Sequence, residues 1–143
     1  MGIFLKDIQQ FIDSTTIKEH KIVKEIVTDI IDFPIQHSPV LSGNFVSNWL
    51  LGLDKAIPWG VTGEKNGDKN AIADRLIAKI PEDAANHTYN LVNNTSYAQA
   101  LEDGTGTANP GTPYSRGKAP HGMIGLTKVH MPEIIRRVLA RNK

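Results

Sequence analysis

The start of the chain repeats apolar positions at intervals of three and four. Leu5, Ile8, Phe11 and Ile12 form one such set, and Ile22, Val23, Ile26, Val27, Ile30 and Ile31 form a second. This spacing puts apolar side chains on one helical face and predicts helix from Ile3 to Phe33. Between the sets lies Asp13-Ser14-Thr15-Thr16, where Thr16 and Glu19 have the form of a capping box. The stretch therefore reads as one bent helix or as two, the second starting near Ile17. Pro34 is expected to end it, because its ring cannot follow in helical register.

The period then shortens to two. From Asn44 to Leu53, Phe45, Ser47, Trp49 and Leu51 alternate with Asn44, Val46, Asn48 and Leu50, the pattern of a half-buried strand with Trp49 in the core. Gly, Asn and charged residues fill the stretch Pro58 to Lys69, an exposed loop. Asp68 can cap a helix over about Asn70 to Ile80, with Ile72, Leu76, Ile77 and Ile80 facing the core and Pro81 as the stop. A strand over Thr88 to Asn93 and a short helix over Tyr97 to Glu102, ending at Gly104, follow. Thr105 to Lys118 holds Gly106, Pro110, Gly111, Pro113 and Gly117, a connector full of breakers. The chain closes on a helical pattern through Ile124, Thr127, Met131, Ile134, Ile135, Val138 and Leu139, which Pro132 is expected to kink or restart near Met131. The resulting class is α+β. A long N-terminal helix and a C-terminal helix pack on a small, mainly antiparallel sheet with long loops, as a single domain over residues 1–143.

Composition narrows what such a domain does. Apolar and charged fractions of 40% and 22% suit a folded domain, and the net charge of +1 favours neither sign of partner. The one basic cluster, Arg136, Arg137, Arg141 and Lys143, reads first as cations placed at a helix C-terminus, and only secondarily as a contact for DNA or an acidic partner. With no cysteine, disulfides and thiolate chemistry are excluded. No apolar run approaches the roughly 18 residues of a membrane span. His20, His37, His87, His121 and His130 show no HExxH-like ligand spacing. Ser42 or Ser115 with a histidine and Glu102 or Asp103 lacks a nucleophile elbow, and Gly104-Thr105-Gly106-Thr107 lacks the ending of a P-loop. No catalytic residue, metal site or cofactor is expected.

Three segments, in order, resemble one family. A long amphipathic helix runs into Ser38-Pro39-Val40-Leu41-Ser42-Gly43-Asn44 and then Asn48-Trp49. This resembles the "(S/T)PVDTG…xNW" signature of tailed-bacteriophage neck and tail-completion proteins, the family that includes the lambda minor tail protein Z. Asn93-Asn94-Thr95-Ser96-Tyr97-Ala98 through Leu101-Glu102-Asp103-Gly104 resembles its "NNxPYAxxLExG". Lys118-Ala119-Pro120-His121-Gly122-Met123-Ile124 through Thr127 resembles its "QAPxGMVxLT". Leu41-Ser42 stands where the pattern has Asp-Thr, Ser96 where it has Pro, and the loop Thr105 to Lys118 is longer. Physically, the first segment reads as a helix-to-strand corner, with Gly43 permitting a positive φ.

The resemblance implies a structural virion protein at the head–tail junction, assembled in the host cytoplasm. Its copies would form a homo-oligomeric ring of about six or twelve subunits around the DNA channel. Its partners would be the portal or adaptor on one side and the tail terminator or tail tube on the other, with at most transient contact to DNA and none to membrane. Interface candidates are Asn93, Asn94, Tyr97, Ala98, Leu101, Glu102, Gly104, Ala119, Pro120, Gly122 and Met123. Docking-loop candidates are Lys65, Asn66, Tyr114, Arg116 and Lys118. The alternatives are a tail terminator or head-completion protein of the same particle, and a small metal-dependent hydrolase built on His121 and Glu102.

Overall fold

The computed structural model describes residues 2–40, 43–55, 57, 61–96, 98 and 123–143, with side chains from residue 8 onward. The expected helix over Tyr97 to Glu102 and the loop over Thr105 to Lys118 lie outside the described residues, apart from Ala98.

Helix α1 covers Gly2–Gln36 without a break. Of the two readings left open near Thr16, the single helix is the one observed, because the helix absorbs the polar residues. Within this run the Thr15 hydroxyl donates back to the Phe11 carbonyl at 2.9 Å, one helical turn earlier. The helix also runs two residues past Pro34. In the final turn this proline forgoes one backbone bond, its ring is fully buried, and its carbonyl accepts from Ser38 Oγ at 2.6 Å. The end of α1 is held from farther along the chain: Lys69 Nζ donates to the Gln36 carbonyl at 2.7 Å, placing a cation where the helix is negative.

The strand expected from Asn44 begins only at Trp49. Asn44–Ser47 is instead a single helical turn, α2, entered through Gly43 at φ 81. Alternation needs a solvent side, and Phe45, Val46, Ser47 and Asn48 are all buried, so period two was never imposed there. Strand β1 (Trp49–Leu53) pairs antiparallel with β2 (Tyr89–Asn93), Trp49 opposite Asn93 and Leu53 opposite Tyr89. Helix α3 (Lys69–Ile77) is capped as expected, the Asp68 carboxylate accepting from Ala71 N at 3.1 Å. It ends earlier than Ile80, which stays buried in the tightened turns that follow. A 3₁₀ turn, Ala84–Asn86, leads to β2. Helix α4 (Ile124–Arg141) is one element with Pro132 inside it on the exposed side, so no restart occurs near Met131.

The architecture is α+β, and the second half of α1 is its spine. Ile31 and Ile35 meet Phe45 and Val46 of α2, Trp49 and Leu51 of β1, Ile72 and Leu76 of α3, and Met123 in one core. Helix α4 packs antiparallel to α1: His130 lies against Phe33 with ring centroids 4.9 Å apart, while Asn142 at the far end bonds Glu25. Arg141 adds exposed ion pairs to Asp29 (3.6 Å) and Glu25 (3.8 Å), worth little in energy but consistent with this alignment. The first half of α1 differs. Residues 8–19 are all exposed, and no described residue covers its apolar stripe, Ile8 (41%), Phe11 (72%) and Ile12 (49%).

Candidate functional site

The residues of the first motif form a hydrogen-bonded corner. Trp49 sits 2% exposed, and its indole Nε1 donates to Ser38 Oγ at 2.9 Å. Ser38 in turn donates to Pro34, so one hydroxyl ties β1 to the last turn of α1. The Phe45 ring meets the indole edge-on, with centroids 5.7 Å apart. Pro39 is half-buried and Val40 exposed; Ser42 lies outside the described residues.

Asn48 and Ser47 hold the loop that passes over this corner. Asn48 Oδ1 accepts from Thr62 N at 2.7 Å, and its Nδ2 donates to the Asn44 carbonyl at 2.7 Å. Ser47 Oγ accepts from Asn66 N (2.7 Å) and donates to Asn66 O (3.0 Å). Arg75 closes the lacing with Nη1 on Glu64 Oε2 at 2.8 Å and Nη2 on the Ser47 carbonyl at 3.2 Å. Of the two docking candidates here, Lys65 is exposed, whereas the backbone of Asn66 is engaged in the corner. Tyr114, Arg116 and Lys118 lie outside the described residues.

The second motif reaches the same place from β2. Asn93 Nδ2 donates to the Phe45 carbonyl at 2.8 Å, and its Oδ1 accepts from the hydroxyl and backbone of Thr95. The neighbouring Asn94 has a buried Nδ2 with no hydrogen-bond partner among the described residues. From the third motif, Met123 is buried at the head of α4, and its carbonyl accepts from Thr127 Oγ1 at 2.6 Å. Tyr97, Leu101, Glu102, Gly104, Ala119, Pro120 and Gly122 lie outside the described residues. The three segments converge on a cavity of about 140 Å³ lined by Phe45, Trp49, Leu91, Asn93, Ala98, Met123 and Ile124. Among the described residues the lining is apolar apart from Asn93, as at a packing junction.

The described histidines have structural partners. His20 Nδ1 accepts from Ala85 N, and His37 stacks on Phe33 at 4.1 Å with Nδ1 donating to the Phe33 carbonyl. Sequence reading missed the arrangement around His87. Its Nδ1 lies 2.7 Å from Asp54 Oδ2 and its Nε2 3.0 Å from Asp83 Oδ1, so both ring nitrogens face carboxylates. Only the four-residue spacing of Asp83 and His87 hinted at it. Asp54, at φ 64, also accepts from Thr88 N, which clasps the end of β1 to the start of β2. Among the described residues no group of His, Asp and Glu is arranged to hold a metal ion.

The two carboxylates, Asp54 first, raise the imidazole above its ordinary 6.5. Asp54 is held below the usual 3.8 mainly by the Thr88 backbone N–H and then by His87, and Asp83 mainly by His87. The raised His87 contributes stability that is complete below pH 6.5 and is lost as pH rises through its folded value. The two aspartates contribute stability present above pH 3.8 and lost as pH falls through their lower folded values. Urea midpoints measured against pH should therefore decline on the alkaline side of 6.5, and His87→Gln should remove that decline. An unchanged pH profile in the variant would show that the clasp adds nothing.

Comparison with protein-family models, with curated proteins and with solved structures finds no match to this chain.

Proposed function

We propose that this chain is a structural subunit of the head–tail junction of a tailed bacteriophage, acting by assembly and not by catalysis. Copies form a ring around the DNA channel and join the portal or adaptor side to the tail, in virions assembled in the host cytoplasm. The observation that carries the reading is the apolar stripe that the described residues leave exposed on the first half of α1. A Phe at 72% exposure, flanked by two exposed Ile on one helical face, is a surface that calls for a protein partner. The motif resemblance supplies the identity of the assembly. Its support is that Ser38, Asn48, Trp49, Asn93, Ala98 and Met123, far apart in sequence, build one contiguous junction.

The test is location. A gold-labelled tag on the C-terminal end of the chain, imaged in purified particles, is expected to mark the junction between head and tail. Label on the capsid shell or along the tail, or none in the particle, contradicts the proposal.

A further inference from the structure

An imidazole has two ring nitrogens, and at His87 each faces a different carboxylate. Nδ1 lies 2.7 Å from Asp54 Oδ2, and Nε2 lies 3.0 Å from Asp83 Oδ1. The three residues belong to three segments. Asp54 follows the last residue of β1, Asp83 precedes the 3₁₀ turn Ala84–Asn86, and His87 joins that turn to β2. Both contacts are hydrogen bonds only while the ring is an imidazolium with two N–H donors, because the neutral ring has one. Loss of the proton therefore leaves one carboxylate facing a ring lone pair.

The surroundings select which one. Asp54 is the closer, and it is fixed twice more: its Oδ1 accepts from Thr88 N at 2.9 Å, and its own N–H donates to the Thr88 carbonyl at 2.8 Å. These bonds hold it beside the ring whatever the proton count. Asp83 lies outside the strand pair with its side chain 53% exposed, so water can take over its carboxylate. Its other partners, its own backbone N–H and the Asn86 side chain, belong to the same turn. The rest of that turn is anchored without His87. Ala84 is buried and its carbonyl accepts from the Tyr89 hydroxyl at 2.8 Å, while Ala85 N donates to His20 Nδ1 on α1. The charges that act on the ring are the two carboxylates. The Tyr89 phenol stands on the β2 side, raised by burial and then by both aspartates, and the exposed Lys24–Glu82 pair ties the segment before the turn to α1.

We infer that His87 is a proton-operated staple with a fixed side of release. Protonated, it ties three segments together; neutral, it keeps its proton on Nδ1 for Asp54 and lets Asp83 go. The 3₁₀ turn then loosens at its Asp83 end while the clasp between β1 and β2 stays shut. The device is independent of the assembly reading, since it concerns where the fold yields and not what the protein joins.

NMR shifts of the His87 ring nitrogens in labelled protein, followed as pH rises from below 6.5 to well above it, read the tautomer directly. Both nitrogens are expected to be protonated at the start and Nδ1 alone at the end. Amide exchange gives the second readout through Asn86 N, which donates to the Asp83 carbonyl at 2.9 Å. Its protection should fall about two- to fivefold relative to that of Thr88 N, the scale of an exposed ion pair. Asp83→Asn should abolish that relative fall and leave Nδ1 the protonated nitrogen of the neutral ring. A neutral ring protonated on Nε2, or an equal mixture of the two tautomers, would overturn the inference. So would protection lost first at Thr88, or a ratio of Asn86 to Thr88 protection that does not move with pH.

Discussion

Trp49→Ala is expected to lower the stability of the folded chain by about 3–5 kcal/mol, the range for emptying a large aromatic site in a core. Total stability of a domain is itself only about 5–15 kcal/mol, so the variant should sit near unfolding at ambient temperature. The loss has two parts. Removing the ring opens a void against Phe45, next to the cavity that already lies there. Removing the indole N–H leaves the Ser38 hydroxyl without the donor it accepts from. Trp49→Phe removes the N–H with a smaller loss of ring volume, and with Ser38→Ala it closes a double-mutant cycle whose coupling isolates the hydrogen bond at about 1 kcal/mol. Urea denaturation of the four proteins measures both. A cycle that sums to zero would show that the hydrogen bond between α1 and β1 does not contribute.

Gly43→Ala should cost about 3 kcal/mol, combining the penalty of a left-handed conformation for a residue with a Cβ and the overlap that Cβ creates. At φ 81 an added Cβ would stand 2.7 Å from the carbonyl carbons of Lys65 and Asn66 and 2.8 Å from Gly67 N. These are backbone atoms of a loop fixed by Asn48, Ser47 and Arg75, so the clash cannot be relieved by turning a side chain. Gly63 in the same loop is the control. Nothing lies within 4 Å of a Cβ placed there, and Gly63→Ala should be neutral or stabilising by up to about 1 kcal/mol. Equal effects at both positions would mean that the loop does not press on the corner.

Which parts of this fold can be read from the chain depends on how local their causes are. The Asp68 cap, the apolar face of α3 and strand β2 are set by residues within a few positions of one another, and the spacing rules found them. Trp49 was legible as core because a single large apolar side chain rarely has another place to go. Helical turn α2 was not legible. Over four residues, alternation and helical spacing cannot be told apart once every side is buried, and the deciding contacts come from Thr62 and Asn66, far along the chain. The stop expected at Pro34 failed for the opposite reason. Local breaker signals were outweighed by a helix whose second half is buried against the rest of the fold and whose end is capped by Lys69.

The site divides along the same line. Gly43 was identified from its neighbours alone, and its positive φ is a property of that one residue. That Ser38, Asn93 and Met123 meet around Trp49 is a tertiary fact, which the order of the motifs suggested and no periodicity encodes. The His87 clasp draws on Asp54, 33 residues away, and so escaped notice. The stripe on α1 could be counted as apolar spacing, but only the end of α4 near Glu25 shows that the described residues leave it exposed.

The proposed role, joining parts of a virion by surface fit, is decided by electron-microscope images of particles produced without the chain, beside particles in which it is restored. The account predicts filled or fillable heads and finished tails lying apart, rejoined into infectious particles on addition of the purified protein. Complete, infectious particles formed in its absence would contradict it.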